Sequence, residues 1–173
     1  MRRKLVLFLV IAICFVLQTT VFQALPFGNI APNLLLVIVS SIGIMRGKRE
    51  GMWVGLFCGL LIDIFFGFYI GIYALLYLYI GFLNGIFQKR FYPDDIKLPM
   101  ILIGASDVVC NIMIYIFLFF MRGRFNLVYY LKSIIIPEFV FTMLVTIPLY
   151  FILLKINQKL EAYEKRSAKK FEL

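Results

Sequence analysis

The sequence predicts an all-α membrane protein in which six transmembrane helices form one compact bundle. Hydrophobic residues account for 63% of the 173 residues, whereas a soluble domain of this size is roughly half apolar. The mean hydropathy of +0.97 also favours a chain that lies in a bilayer. Apolar runs of about eighteen residues recur, and the alternating segments of a transmembrane barrel, about ten residues each, are missing. Most residues therefore belong to membrane helices, and no sizeable soluble domain is left.

Polar and basic segments divide the chain into six predicted spans. In chain order, the spans cover residues 5–22, 31–45, 51–66, 69–87, 98–121 and 134–154. The first span follows a basic start but lacks a small-residue cleavage site, which favours an uncleaved helix over a signal peptide. The aromatic segment 122–132 is expected to lie at the membrane surface. Residues 1–154 are therefore predicted to form the transmembrane domain, and residues 155–173 a charged cytoplasmic tail.

The basic residues are unevenly distributed over the two sides of this topology. Six spans place both termini on one side, and fifteen of the 18 Lys and Arg residues fall on that side. Because positive residues concentrate in cytoplasmic loops, both termini are expected in the cytoplasm. The turn between the second and third spans is then a cytoplasmic basic turn, formed by Arg46, Lys48 and Arg49. This distribution accounts for the formal net charge of +9 without a nucleic-acid partner.

Glycine and one acid recur every fourth residue along the third span. Gly51, Gly55 and Gly59 are followed at the same spacing by Asp63. Each step advances by roughly 40° around a helix, so the glycines form one stripe. Small residues let helix backbones approach closely in lipid. The stripe is predicted to pack against another helix of this chain, and a docking groove for a partner's helix is the alternative.

Asp63 continues this stripe towards the far end of the span. A charged side chain at mid-membrane costs at least about 2.5–3.5 kcal/mol. Asp63 is therefore expected to face the bundle, either protonated or paired with Arg122 or Arg124. It serves either as a structural hydrogen-bonding group or as a functional group.

Among the other polar residues within predicted spans, three are candidate site residues. Asp107 and Asn111 are four residues apart and share one face of the fifth span. They line the same interior as Asp63 or bond to neighbouring helices. Glu138 follows Pro137, and both residues suit the first turn of the last helix.

Residues that would support catalysis or bind a metal ion are scarce. Histidine is absent, which excludes histidine ligands and histidine acid–base catalysis. The cysteines at positions 14, 58 and 110 fall in apolar runs without paired spacing, so we expect buried free thiols. Neither a catalytic motif nor a phosphate-binding loop is present. The sequence predicts no enzymatic activity and no cofactor.

Several segments together resemble a known bacterial family. The second span opens with "APNLLLVIV", and "RGKREG", "GMWVGLFCGLLIDIFFG" and "IGIYALLYLYIGFLNG" follow in order. This order and spacing resembles the rod shape-determining protein MreD family over nearly the whole chain. The resemblance includes the glycine stripe and Asp63. Other positions of the family pattern are Pro32, Asn33 and Pro137. The last helix of the family often reads P-x-x-x-x-N, but Thr142 stands at that spacing here.

The resemblance implies a non-enzymatic, multi-pass subunit of the bacterial inner membrane. It implies membership of the elongation complex that guides side-wall peptidoglycan synthesis and cell shape. The implied partners are the membrane-anchored MreC, MreB filaments, and RodA with its transpeptidase partner. The family fold is similar to the substrate-binding subunits of energy-coupling-factor transporters.

That similarity of fold leaves a second hypothesis, a vitamin-type substrate-binding subunit of a transporter. Asn84, together with Asp63, Asp107 and Asn111, would then line a ligand pocket. Two observations count against it. The first span contains only Ala12 where such subunits often have an Ala-x-x-x-Ala pattern, and the predicted outer turns are short.

Overall fold

The described part of the chain is almost entirely helical. The computed structural model describes residues 2–22, 31–67, 71–90, 92, 96–117 and 131–169, and no strand occurs among them. Among these residues the α-helices are α1 (Arg2–Val16), α2 (Leu34–Arg46), α3 (Lys48–Phe66), α4 (Ile72–Ile86), α5 (Lys97–Tyr115) and α6 (Ile136–Lys169). Short turns of other helix types extend α1 (Leu17–Val21), follow α4 (Phe87–Arg90) and precede α6 (Leu131–Ile135). The all-helical class and six helices agree with the sequence prediction.

Helix α2 lies at the centre of the structure. Every residue from 34 to 45 is buried, and α1, α3, α4, α5 and α6 all contact this helix. Its 13 residues span roughly 20 Å at 1.5 Å per residue, less than the roughly 30 Å of a hydrocarbon core. A short helix is tolerated here because other helices, and not lipid, surround it.

Three of the helices are long and apolar enough to cross a membrane by themselves. They cover Arg3–Val21, Lys97–Tyr115 and Leu131–Glu164. Among the other described helices, α2 is apolar but short, and α4 has 15 residues. Helix α3 has 19 residues but begins with three charged residues. The three shorter or more polar helices pack against one another.

The segment predicted as a basic turn is helical on both sides of a single glycine. Arg46 ends α2, and Lys48 and Arg49 begin α3. Gly47 alone separates them, with φ of 95°. This positive φ, combined with a ψ of −178°, ends α2 and suits glycine, because a residue with a Cβ would be strained there. The two helices therefore follow each other without a loop.

Ion pairs connect the two described chain ends at one end of the bundle. We call this end of the bundle the terminal end. Arg3 of α1 pairs with Glu50 of α3 and with Glu164 of α6, the latter at 3.4 Å. Arg46 of α2 lies 3.5 Å from Glu164 and donates a 2.5 Å hydrogen bond to Asn157. Helix α6 continues without a break through the predicted boundary at residues 154/155, as far as Lys169.

Candidate functional site

The three stripe glycines face the backbone of α4 in this same chain. A Cβ on Gly55 would overlap the carbonyl oxygen of Tyr77 and lie 2.7 Å from its carbonyl carbon. A Cβ on Gly59 would lie 2.6 Å from the backbone nitrogen of Ala74. Backbone atoms cannot move aside as a flexible side chain does, so Cβ atoms would force α3 and α4 apart. Gly51 belongs to the same contact.

Glycines of α2 and α4 complete this contact, which we call the glycine seam. A Cβ on Gly51 would overlap the carbonyl oxygen of Gly81, and a Cβ on Gly43 would lie 2.8 Å from that oxygen. A Cβ on Gly85 would lie 2.5 Å from Cα of Lys48. Three helix backbones thus meet where only glycine fits. The face of α3 that carries the stripe is covered by α4. Gly81 and Gly85 are also four residues apart, and this spacing is a signal in the sequence for the same contact.

Asp63 caps the beginning of α4. Its Oδ2 accepts hydrogen bonds from the backbone N–H groups of Gly71 and Ala74, both at 2.9 Å, and its Oδ1 accepts one from Tyr73 at 3.1 Å. These donors lie in the first turn of α4, where N–H groups lack partners within the helix. The helix dipole also favours negative charge there. Asp63 is 1% exposed. Arg122 and Arg124, the expected partners of Asp63, lie outside the described residues.

Asn33 connects α2 with α4 and α6. Its side-chain oxygen accepts hydrogen bonds from the backbone N–H of Leu36 at 3.3 Å and from the Tyr77 hydroxyl at 2.6 Å. Its own N–H donates to the hydroxyl of Thr142 at 3.1 Å. Thr142 stands where the family often has asparagine, and here it supplies a buried acceptor. The preceding residue, Pro32, is buried beside this junction.

Asn111 and Glu138 line one cavity, which we call the polar cavity. It has a volume of about 290 Å³ and is bordered by the far ends of α1, α3 and α5 and the beginnings of α2, α4 and α6. It therefore lies at the end of the bundle opposite the terminal end. Glu138 lies in the first α-helical turn of α6, next to Pro137.

Asp107 lies deeper in the bundle. It is fully buried, and neither carboxyl oxygen has a hydrogen-bond partner among the described residues. Neither Asp107 nor Asp63 is among the described residues that line the polar cavity. Asn84, another residue of the transporter hypothesis, instead donates to the hydroxyls of Ser40 and Ser106, at 3.2 and 2.8 Å.

A larger and mainly apolar groove runs between α1 and α3 near the terminal end. We call it the α1–α3 groove, and its volume is about 710 Å³. Its walls include Phe8 and Phe57, whose ring centroids are 5.8 Å apart, and Trp53, which is 72% exposed. Arg3 and Lys4 form part of its charged rim. This groove was not predicted from the sequence, because the packing of all the helices determines which faces of α1 and α3 stay uncovered.

Comparison with known proteins identifies the family of this chain. A family model described as rod shape-determining protein MreD matches residues 1–160. No curated protein and no solved structure matches the chain, so the similarity of fold to transporter subunits stays a prediction. The family match covers nearly the whole chain and confirms the resemblance found in the order and spacing of its segments. The chain therefore belongs to the MreD family of rod shape-determining proteins.

Proposed function

We propose that this chain is a non-enzymatic, multi-pass subunit of the bacterial inner membrane that binds MreC and helps organise side-wall peptidoglycan synthesis. The observation that carries the proposal is the family match over residues 1–160. Three helices long and apolar enough to cross a membrane support a place in the bilayer. MreB filaments and RodA with its transpeptidase partner are the further proposed members of the assembly.

The α1–α3 groove is the proposed contact surface for the membrane helix of MreC. The glycine stripe is covered by α4, so a partner helix needs another face. Within the most apolar stretch of α1, only 11% of residues are buried, against 44% in α5. Helix α1 therefore has the larger unpacked surface. A helix of MreC would fill the volume between the aromatic rings of Phe8, Trp53 and Phe57, and such packing drives helix association in lipid.

The terminal end is the proposed cytoplasmic side. Arg46, Lys48 and Arg49 lie at this end, together with Arg3. Basic residues near an anionic leaflet contribute roughly 1 kcal/mol each to its attraction. This orientation would turn the basic residues towards lipid headgroups and MreB filaments.

Copurification tests both the proposed partner, MreC, and the proposed contact surface, the α1–α3 groove. The chain and MreC are co-expressed and solubilised in mild detergent, and MreC recovered with the tagged chain is quantified. Replacing both Trp53 and Phe57 by Ala should lower the recovery of MreC at least tenfold, because large aromatic side chains often dominate interface energies. The matched control replaces two exposed apolar residues outside the groove, Ile101 and Leu144, by Ala.

The control variant should recover MreC at the level of the unaltered chain. Equal recovery with the groove variant, at equal amounts of chain in the membrane, would exclude the groove as the contact. Failure of the unaltered chain to recover MreC would contradict the proposed function itself.

A further inference from the structure

The polar cavity contains an amide donor without a well-formed hydrogen bond to any described residue. Nδ2 of Asn111 is buried and has no described partner at ordinary hydrogen-bond geometry, and the Glu138 carboxyl group interacts with the Asn111 side chain. Asn111 as a whole is 5% exposed. Buried polar groups in folded proteins nearly always have a partner, so an unsatisfied amide directed into a cavity calls for an explanation.

Three other polar side chains around the cavity each make at least one hydrogen bond within the chain. Gln18 accepts a hydrogen bond from the N–H of Leu35 at 3.2 Å, and Thr19 donates to the carbonyl of Phe15 at 2.9 Å. Asn33 is held by α2 and Tyr77, as described above. Asn111 and Glu138 are therefore the polar groups best placed to meet a bound molecule.

Two carboxyl groups lie in or near the wall of the cavity, and no basic side chain is among its described lining residues. Glu138 lines the wall, and Asp107 lies within electrostatic range of it. Neither Lys nor Arg is among the described lining residues. A carboxylate away from bulk water requires a paired cation or hydrogen-bond donors. A bound ammonium group would supply both to Glu138.

The rest of the wall is aromatic. Phe15, Phe66, Tyr73 and Tyr77 border the same space. Aromatic faces attract cations and offer flat apolar surfaces for a ring. The cavity, at about 290 Å³, stands at the lower end of the roughly 300–1,000 Å³ range of ligand pockets. It therefore suits a molecule no larger than one ring with a short side chain.

We propose that the polar cavity binds a small aromatic amine, whose ammonium group meets Glu138 and whose polar ring substituent meets Asn111. This binding site goes beyond the proposed role in the rod-shape complex and does not depend on MreC. The ammonium of a lipid headgroup, such as phosphatidylethanolamine, shares the chemistry that Glu138 recognises. The aromatic walls favour the free amine over the headgroup.

Calorimetric titration with tyramine tests the site. Tyramine carries an ammonium group and a phenol, and its neutral isostere tyrosol carries a hydroxyl in place of the ammonium. The full chain is placed in nanodiscs of phosphatidylglycerol, which has no amine. We expect saturable binding of tyramine and at least tenfold weaker binding of tyrosol, since a hydrogen bond to a charged group contributes more than a neutral one. A parallel titration in nanodiscs with added phosphatidylethanolamine distinguishes the free amine from the lipid headgroup. If the lipid competes with tyramine, the headgroup is the natural occupant.

Two variants and one control complete the experiment. Glu138→Gln removes the charge and should weaken tyramine binding at least tenfold. Asn111→Leu removes the unsatisfied amide, so it should weaken tyramine binding. The free chain of this variant should be at least as stable to heat as the unaltered chain. If Glu138→Gln does not fold, Asn111→Leu alone tests the site. Glu161→Gln removes an acid of α6 outside the polar cavity and should bind tyramine normally. Absence of saturable tyramine binding, equal affinity for tyrosol, or full affinity in the folded cavity variants would each overturn the proposal.

Discussion

At the scale of single residues, buried polar groups in this chain stabilise helix beginnings. Asp63 holds the first turn of α4, and Asn33 both caps α2 and joins it to α6 through Thr142. In a membrane this arrangement is valuable, because unpaired backbone groups cannot turn to water. The carboxylate that looked costly in the sequence thus satisfies three donors that would otherwise lack partners.

Replacing Asp63 by Asn should destabilise the chain. An amide has one oxygen in place of two, and its NH₂ group would face N–H donors of α4. A buried donor left unpaired costs about 1–3 kcal/mol, so the midpoint of thermal unfolding in detergent should fall clearly below that of the unaltered chain. Glu50→Gln, which removes an acid from the partly exposed end of the same helix, should have a much smaller effect. An unchanged midpoint for Asp63→Asn would show that the cap does not stabilise α4.

The pattern in the sequence revealed that Asp63 faces the bundle, but not what it binds. A sequence pattern gives the face of one helix, whereas a hydrogen-bond partner depends on the path of the chain after it. In the structure α4 begins beside Asp63, which accepts hydrogen bonds from Gly71 and Ala74. The role of Thr142 could not be predicted from the sequence either. Thr142 differs from the family's usual asparagine, and its role depends on Asn33 lying opposite.

At the scale of helices, the glycine seam determines how closely α2, α3 and α4 approach. The spacing of Gly51, Gly55 and Gly59 predicted that α3 packs closely against another helix. In the structure that helix is α4. The sequence also predicted six helices, but it did not predict the central place of α2. Complete burial on all sides comes from the arrangement of the other helices, and a short apolar run alone does not distinguish it from a short span in lipid.

Adding a single methyl group in the seam should separate α3 from α4. In Gly55→Ala the new Cβ would meet the backbone of Tyr77, and overpacking of this kind costs typically about 1–3 kcal/mol. Gly104→Ala on α5 is the matched control, because its Cβ would meet only side-chain atoms of Phe139 and Met143, at 3.2 and 3.3 Å. Alanine is also favoured over glycine in a helix by about 1 kcal/mol.

Thermal unfolding of the two variants in the same detergent measures this difference. The midpoint should fall for Gly55→Ala and stay close to the original, or rise, for Gly104→Ala. Equal shifts for the two variants would contradict the role of backbone contact in the seam.

At the scale of the whole molecule, the proposed function depends on the orientation of the chain in the membrane. Ion pairs bring the described ends of α1 and α6 together, as an even number of crossings requires. The excess of basic residues on this side then predicts a cytoplasmic location. The sequence supplied this topology, because charge distribution needs no knowledge of packing.

Thiol labelling of single introduced cysteines tests the orientation. Tyr92→Cys and Tyr163→Cys lie at exposed positions on the predicted cytoplasmic side, and Arg124→Cys lies on the opposite side of the predicted topology. The three native cysteines are buried, so background labelling should be low. In intact spheroplasts, a membrane-impermeant maleimide should label only Arg124→Cys, and permeabilisation should expose the other two. The reverse pattern would place the terminal end outside the cell.

The most direct test of the central claim is photo-crosslinking in growing cells. A photoreactive phenylalanine analogue replaces Phe57 in the α1–α3 groove or, as a control, Ile101 on the exposed face of α5. If the α1–α3 groove contacts MreC, irradiation should yield a covalent adduct with MreC from position 57 and none from position 101. The contact would be contradicted if position 57 gave no MreC adduct although the chain was present at its normal level. Equal adducts from both positions would contradict it as well.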